Sequence, residues 1–373
     1  MNSVFIECFG KIEDPRIHRT RKHLLIDVIA LTLFAVMAGA QTFDEIEDFG
    51  KDYEEWLKKY LQLPNGIPSH DTISRVLSLL DQNVLQKSFI EWIGKVKGYV
   101  NENVIAIDGK TMRGSHKRGR GISALHVLSA YSCANGLSLG QMKVDGKTNE
   151  ITAIPELLDQ LFLTDSIVTL DAMGCQTEIA SKIVEKKADY ILAVKGNQKE
   201  LYEPIVETFD MVFDKEFNHD LTPEIFDHEI NGDHGRIETR KVLALDAKII
   251  ETQLDLKKWA NIKSIIKVTY TNVLNNDTED RYFISTLPHT DVEKIGKSIR
   301  SHWQIENNLH WVLDVAFRED SSRIRDDNTA LNFAWFRKMA LSILSKDGTK
   351  MSYRRKMMRN SRNPDFIIKE LLA

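Results

Sequence analysis

The sequence of 373 residues is poor in cysteine and contains no long uninterrupted apolar segment. Its three cysteines, Cys8, Cys133 and Cys175, lie far apart and form no CxxC pair. A structural zinc site and a disulfide framework are therefore not expected, and a reducing cytoplasm is the default location. The most apolar stretch, residues 24–40, contains Asp27 and is too short for a membrane span, so it predicts a buried helix. No signal peptide is expected.

Motifs of several common enzyme classes are also absent. Gly109-Lys110-Thr111 and Gly146-Lys147-Thr148 resemble the end of a phosphate-binding loop. That loop requires a glycine five residues earlier, where this sequence has Val104 and Gln141. Neither G-x-S-x-G nor H-E-x-x-H occurs, and the histidines form no ligand cluster.

The charges that are present are unevenly distributed along the chain. The net charge is −4, yet residues 11–23 hold five Lys and Arg against two acids. Residues 110–120 hold five against none, and residues 321–362 hold eleven against three. One such patch could be a solvated face, but three together favour a polyanionic partner that is contacted at several places.

Two short apolar runs each lead directly into an aspartate. Residues 104–107 precede Asp108, and Ile167–Leu170 precedes Asp171. Each pattern predicts a buried strand with an acid at its carboxyl end, followed after Asp108 by a basic loop. Acids in such positions of open α/β sheets lie where ligands and metals bind.

The order of predicted elements from residue 103 onward is βββαβαβ, with a hairpin at Asn135-Gly136. This is the layout of a ribonuclease H-like domain, in which the first and fourth strands are neighbours, so Asp108 and Asp171 would lie side by side. We expect an α/β fold with this catalytic core in residues 99–373. It would contain a β-rich insertion at about 215–288 and a basic C-terminal tail.

Residues 1–98 predict an all-α N-terminal domain. Within it, a Gly/Pro turn at residues 63–68 precedes Ser69, a plausible N-cap for a short helix with a polar face. This arrangement resembles a helix-turn-helix reader of DNA. A small helical bundle would contain the same turn, so both interpretations stay open.

A third candidate acid lies on a long helix predicted over residues 291–318. Glu306, His310 and Asp314 are four residues apart beside an apolar stripe, which suits the edge of a site, although an exposed polar face would look alike. Three carboxylates without a cysteine cluster favour Mg²⁺ or Mn²⁺. Two such ions about 3.5–4 Å apart can hold the attacking and leaving oxygens of a displacement at phosphorus.

The sequence resembles the DDE transposases of bacterial insertion sequences, specifically the ISAs1 group of the IS4-like superfamily, which includes the H-repeat-associated proteins. The resemblance extends nearly from end to end. It rests on Asp14-Pro15-Arg16, residues 67–72 (IPSHDT), 107–114 (IDGKTMRG), 147–151 (KTNEI), Asp171-Ala172, 194–198 (VKGNQ), 302–311 (HWQIENNLHW) and 313–320 (LDVAFRED).

The resemblance implies that Asp108, Asp171 and Glu306 bind the metal and catalyse cleavage and joining of double-stranded DNA at element ends. It also implies a homodimer in the synaptic complex, no membrane association, and a location at the nucleoid in the bacterial cytoplasm. Glu150 and Asp314 are the alternatives for the third ligand. A catalytically inactive DNA-binding remnant and a structure-specific nuclease on the same fold are the alternative functions.

The sequence departs from IS4-type relatives around the glutamate. Those relatives carry tyrosine, arginine and lysine where this sequence has Ile299, His302 and Leu313. Other residues must then position the DNA. The basic side chains that we expect to contact DNA are Lys110, Arg113, Lys117, Arg118, Lys195, Arg300, His302, His310, Arg323 and Arg325.

Overall fold

The computed structural model describes residues 3–97, 104–116, 123–144, 150–213, 222–231, 237–272 and 277–372. Its N-terminal part is helical. The helices there are α1 (Ser3–Phe9), α2 (Leu25–Met37), α3 (Phe43–Asp52), α4 (Glu54–Leu57), α5 (His70–Leu79) and α6 (Gln82–Lys97). Ser69 caps α5 as predicted, because its side chain accepts a hydrogen bond from the backbone amide of Thr72.

Helix α2 is buried almost all round, as its largely apolar sequence predicts. Asp27 is tolerated inside this apolar run because its carboxylate accepts hydrogen bonds from the backbone amides of Gln62 and Leu63, at 3.3 and 2.8 Å. Among the described residues, no helix combines the length and apolarity that a membrane crossing requires.

The described strands form one mixed sheet in the order β3-β2-β1-β4-β5-β9-β8-β7-β6. They are β1 (Val104–Met112), β2 (Leu125–Ser132), β3 (Leu137–Val144), β4 (Ile167–Leu170), β5 (Asp189–Val194), β6 (Glu224–Asn231), β7 (Ile237–Asp246), β8 (Ser264–Asn272) and β9 (Thr278–Ser285). Strands β1 to β3 are antiparallel, whereas β4 and β5 run parallel to β1. This confirms the predicted ribonuclease H-like core and the adjacency of its first and fourth strands.

The expectation that the first strand ends at Asp108 is wrong. Strand β1 continues to Met112, because it pairs with β2 as far as Met112 opposite Leu125. Only its parallel pairing with the shorter β4 ends earlier, at Ile107 opposite Leu170. Lys110 therefore lies in a strand rather than in a basic loop.

The strands between the fifth core strand and the Glu306 helix extend the same sheet. β9 pairs antiparallel with β5, and β8, β7 and β6 follow outward. On one face of the core strands lie α7 (Glu150–Gln160) and α8 (Thr177–Glu185), followed along the chain by α9 (Lys199–Phe213). The inserted strands thus form a direct continuation of the catalytic sheet.

The helix predicted over residues 291–318 is not uniform. It consists of α10 (Val292–Gln304), a π-helical segment (Ile305–His310) and α11 (Trp311–Val315). α10 packs on the face of the sheet opposite α7 and α8. A π segment is closed by i→i+5 hydrogen bonds, so it changes which side chains share a helix face, and such segments frequently occur at functional sites.

The basic residues 321–362 are not an extended tail. They belong largely to α12 (Asp327–Leu344) and α13 (Tyr353–Arg362), which precede α14 (Asp365–Leu372). Helix α12 is buried between the N-terminal helices and the sheet. Arg337 and Lys338 on it are almost fully buried, so part of this basic segment cannot face a partner.

We predict that Gly109→Ala reduces the free energy of unfolding by about 1–3 kcal/mol. A β-carbon at position 109 would lie 2.7 Å from Nε2 of His126, whose ring is bonded to the buried Glu150 carboxylate. Urea denaturation measures the change, and Gly348→Ala is the control because no atom lies within 4 Å of its β-carbon. Equal stabilities of the two variants would contradict the crowding at position 109.

We also predict that Lys110→Met destabilises the fold by about 3–5 kcal/mol. The Lys110 ammonium lies 2.7 Å from Glu319 and also binds Asp314, and its loss leaves the Glu319 carboxylate, whose side chain is 3% exposed, without that partner. Arg113→Met is the matched control, because that side chain is 85% exposed beside Asp320 and should contribute little. A Lys110→Met protein as stable as the control would contradict this role.

Candidate active site

The pairing of β1 with β4 places the two aspartates next to each other. Asp108 and Asp171 immediately follow Ile107 and Leu170, the last residues paired in parallel. Neighbouring strands in a sheet are about 4.8 Å apart. Side chains alternate along a strand, so Asp108 shares the face of Ala106 and points towards the side on which α10 lies.

Glu306, on the helical segment that follows α10, lies at the same cavity as the two aspartates. Asp108, Asp171 and Glu306 all line one cavity of about 580 Å³, together with Thr169, Lys195 and His302. Glu306 is exposed at the start of the π segment. The structure therefore brings the three predicted acids, which lie far apart in the sequence, to a single open cavity.

Three carboxylates on separate elements form a donor set that suits a hard divalent cation. Within the described residues, however, no three His, Cys, Asp or Glu side chains stand close enough together to hold a metal ion. The Asp171 carboxylate is already oriented, because its Oδ1 accepts hydrogen bonds from the amides of Met173 and Gly174 at 3.0 and 3.3 Å. Glu306 is exposed and lies on the π segment, apart from the two strands that lead to the aspartates.

The two aspartates differ in their electrostatic surroundings. Burial favours a raised pKa for Asp108, but the hydrogen bond from His310 and the electrostatic influence of the His310 and His302 imidazoles outweigh it, so the net pKa is lowered. Burial raises the pKa of Asp171, and the negative charges of Asp108 and Glu150 raise it further. Like charges at this spacing are stabilised by a bound cation.

His302 is half-buried and lines the same cavity as the three acids. Its Nδ1 is 2.9 Å from the Thr169 hydroxyl on β4. Burial lowers the pKa of His302, although the charges of Asp108, Asp171 and Glu306 act in the opposite direction. A direct DNA contact, predicted for His302, would have to be made from inside the cavity.

The other residues predicted to contact DNA fall into distinct environments. Lys195 is exposed at the end of β5 and lines the cavity, and Arg300 is exposed on α10. Arg323 and Arg325 are exposed in the segment before α12. The remaining five are Arg113, exposed beside Asp320; Lys110, held in two ion pairs; His310, buried; and Lys117 and Arg118, outside the described residues.

Of the alternative third ligands, Asp314 is bound to Lys110. Glu150 binds Nε2 of the buried His126, whose Nδ1 is 2.9 Å from the Thr111 hydroxyl. Gly109 and Thr111 point to the face opposite Asp108, because side chains alternate along β1. Glu150 therefore approaches the site from behind the strand, near enough for its charge to affect Asp171.

A cation–aromatic stack at the cavity was not predicted from the sequence. The Arg281 guanidinium lies 4.8 Å from the ring centroid of Tyr270 and 5.2 Å from that of Trp303. All three residues line the cavity, and they come from β9, β8 and α10. No local pattern marks them, because they meet only once the inserted strands have extended the sheet.

Comparisons with known proteins agree with this architecture. Residues 101–343 match the family model described as "Transposase DDE domain", and residues 6–93 match the one described as "DDE_Tnp_1-associated". "Putative transposase YncI" of Escherichia coli O157:H7 is 43% identical over 347 residues, which cover 91% of this chain and 86% of that protein. "H repeat-associated putative transposase YhhI" of Escherichia coli K12 is 39% identical over 355 residues, covering 93% and 92%.

A solved structure, the piggyBac transposase synaptic complex with hairpin DNA, aligns with 99% of this chain and 78% of its own at 12% identity. Its TM-score of 0.43 is too low to support conclusions about this chain. Assignment to the ISAs1 group stays a prediction. The family model over residues 101–343 and relatives that match nearly the whole chain establish that this protein belongs to the DDE transposases, enzymes that cut and transfer DNA and generally depend on divalent metal ions.

Proposed function

We propose that this chain is a catalytically active DDE transposase that cuts and joins DNA at the ends of an insertion sequence. Asp108, Asp171 and Glu306 would hold Mg²⁺ or Mn²⁺, and the observation that supports this is their presence around one cavity. When bound, the ions supply Lewis-acid stabilisation of the attacking and leaving oxygens at phosphorus. Asp108 and Asp171 provide negative charge at fixed positions for this purpose.

The elements that carry the three acids determine how they act. Asp108 and Asp171 project from a rigid sheet, so their spacing is fixed before substrate binds. Glu306 projects from a helix and can complete the site by a side-chain rotation. Burial lowers the pKa of the neighbouring His302, which disfavours a positive charge beside the cation.

DNA would approach the open side of this cavity. Lys195 at its margin and Arg300 on α10 are exposed and can contact phosphates, and Arg323 and Arg325 extend the basic surface. The substrate would be double-stranded DNA of both the element end and the target. We further propose a homodimer that holds two ends in a synaptic complex, and a location at the nucleoid of the bacterial cytoplasm.

A binding-only remnant is the second candidate. It would retain the basic surface but would not need three carboxylates around one cavity. The intact set of acids therefore favours catalysis, and the cleavage experiment below separates the two possibilities. A structure-specific nuclease would cut branched DNA irrespective of the element ends, which the same experiment also detects.

We predict that Asp108→Asn, Asp171→Asn and Glu306→Gln each reduce Mg²⁺-dependent nicking of end-containing DNA by about 100-fold or more, because each removes a charge that holds the cation. Nicking is measured on labelled duplexes with and without the element end. Glu293→Gln is the matched control, since this exposed acid lies on α10 and pairs only with Lys297 among the described contacts.

Retained nicking by Asp108→Asn would show that the site is wrong. A wild-type protein that binds the ends but never cuts them would favour the remnant, and equal cutting of branched DNA without element ends would favour the nuclease.

DNA binding should weaken steeply with salt, because basic side chains act by releasing counterions from DNA. We expect the double variant Arg323→Ala/Arg325→Ala to reduce the slope of log K against log salt by about 2, roughly one per lost phosphate contact. Fluorescence anisotropy at several salt concentrations measures the slope. Lys182→Ala is the control, because Lys182 pairs with Asp159 and lies on α8, on the face of the sheet opposite α10. An unchanged slope in the double variant would exclude these arginines from the interface.

A further inference from the structure

His310 connects the proposed metal ligand Asp108 to the interior of the protein. Its Nδ1 is 3.4 Å from Asp108 Oδ2, and its side chain is almost completely buried. On the other side of the ring, Nε2 is buried without a hydrogen-bond partner among the described residues. A buried ring nitrogen without a partner is costly, so an additional group is expected beside it.

Glu319, which lines the same small cavity as His310, also has a buried polar atom without a described hydrogen-bond partner. Its Oε2 accepts a hydrogen bond from Lys110 Nζ at 2.7 Å, but its Oε1 is buried without a described partner. Burial alone would raise the pKa of Glu319, but the positive charges of Lys110, Lys338 and Arg337 outweigh it and lower the pKa. Glu319 is therefore an ionised acceptor in the protein interior.

His310 and Glu319 line one common cavity. It has a volume of about 10 Å³ and is lined by His310, Glu319, Lys110 and Lys338 together with apolar side chains and Ser129. That volume is about the minimum for a single water molecule, and a buried water needs two to four polar partners. The Lys338 ammonium donates to Ser129 and Gln141 at 2.8 and 2.7 Å, and it has a third donor.

We propose that one buried water occupies this cavity and donates hydrogen bonds to His310 Nε2 and to Glu319 Oε1. The proton of the neutral His310 ring then resides on Nδ1, from which it is donated to Asp108 Oδ2. Lys338 supplies the donor to the water oxygen. His310 and Glu319 are thus positioning residues, which hold the Asp108 carboxylate in one orientation from behind.

This arrangement rests on the proposed function, because it assumes that Asp108 binds the cation. It also links strand β1, which carries Asp108, to the helical segment that carries Glu306. Lys110 lies two residues after Asp108 on β1, and its partner Glu319 follows the helical segment that carries Glu306 and His310. Loss of a side chain that holds a metal ligand in place typically lowers metal affinity by about 10–100-fold.

Two substitutions at position 310 separate the functions of the two ring nitrogens. His310→Asn places an amide N–H near the position of Nδ1, so it can still donate to Asp108. His310→Gln places its amide near the position of Nε2, so it reaches the cavity and loses Asp108. We expect Mn²⁺ affinity of the DNA-free full-length protein, measured by calorimetry, to fall about tenfold in His310→Gln. In His310→Asn it should stay within about threefold of wild type.

Equal Mn²⁺ affinity of His310→Gln and wild type, or equal losses in both variants, would overturn the positioning role of His310. Asp108→Asn serves as the reference for the proposed function. If Asp108→Asn binds Mn²⁺ like wild type, the metal site itself is wrong. If only Asp108→Asn weakens binding, the metal site stands and the role of His310 is refuted.

The wild-type protein gives a second test that does not depend on the folding of any variant. A high-resolution crystal structure should show one ordered water at about 2.7–3.2 Å from both His310 Nε2 and Glu319 Oε1. Nitrogen-15 NMR of the histidine ring should show the proton on Nδ1. An empty cavity, or a proton on Nε2 of the neutral ring, would overturn the proposal.

Discussion

The parallel pairing of β1 with β4 is the constraint on which the rest of the structure depends. It places Asp108 and Asp171 on neighbouring strands at the point where the shorter strand ends. Two carboxylates there repel each other, and the surrounding structure has to compensate for this. The hydrogen bond from His310 to Asp108 and the backbone amides next to Asp171 do so in part, and the cation implied by the family would do the rest.

The position of Glu306 follows from contacts between segments that are about 200 residues apart. α10 packs on the face of the sheet towards which Asp108 points, and the π segment turns Glu306 and His310 towards different surroundings. The ion pairs of Lys110 with Asp314 and Glu319 join β1 to the chain that follows this segment. Buried ion pairs add little net stability but strongly penalise the loss of one partner, so they hold the two elements in one arrangement.

The N-terminal helices and the C-terminal helices share one hydrophobic core. α2 packs against α12, and α12 in turn contacts β3, so the end of the chain joins the helical part to the sheet. This explains why α12 is buried on nearly all sides despite its place in a basic segment. The division into residues 1–98 and 99–373 stays a prediction about folding units, because packing across that boundary is extensive.

The sequence by itself determined the order of elements, and with it the adjacency of the two aspartates, because apolar periodicity and turn residues are local signals. It also determined the family through motifs distributed along the whole chain. Only the tertiary structure decided that β1 continues past Asp108, that Glu306 lies in a π segment, that Lys110 is an interior partner of Glu319, and that the charge of Lys338 acts on the same carboxylate. The physical reason is that a charge pattern records residue type but not burial, and burial depends on partners distant in the chain.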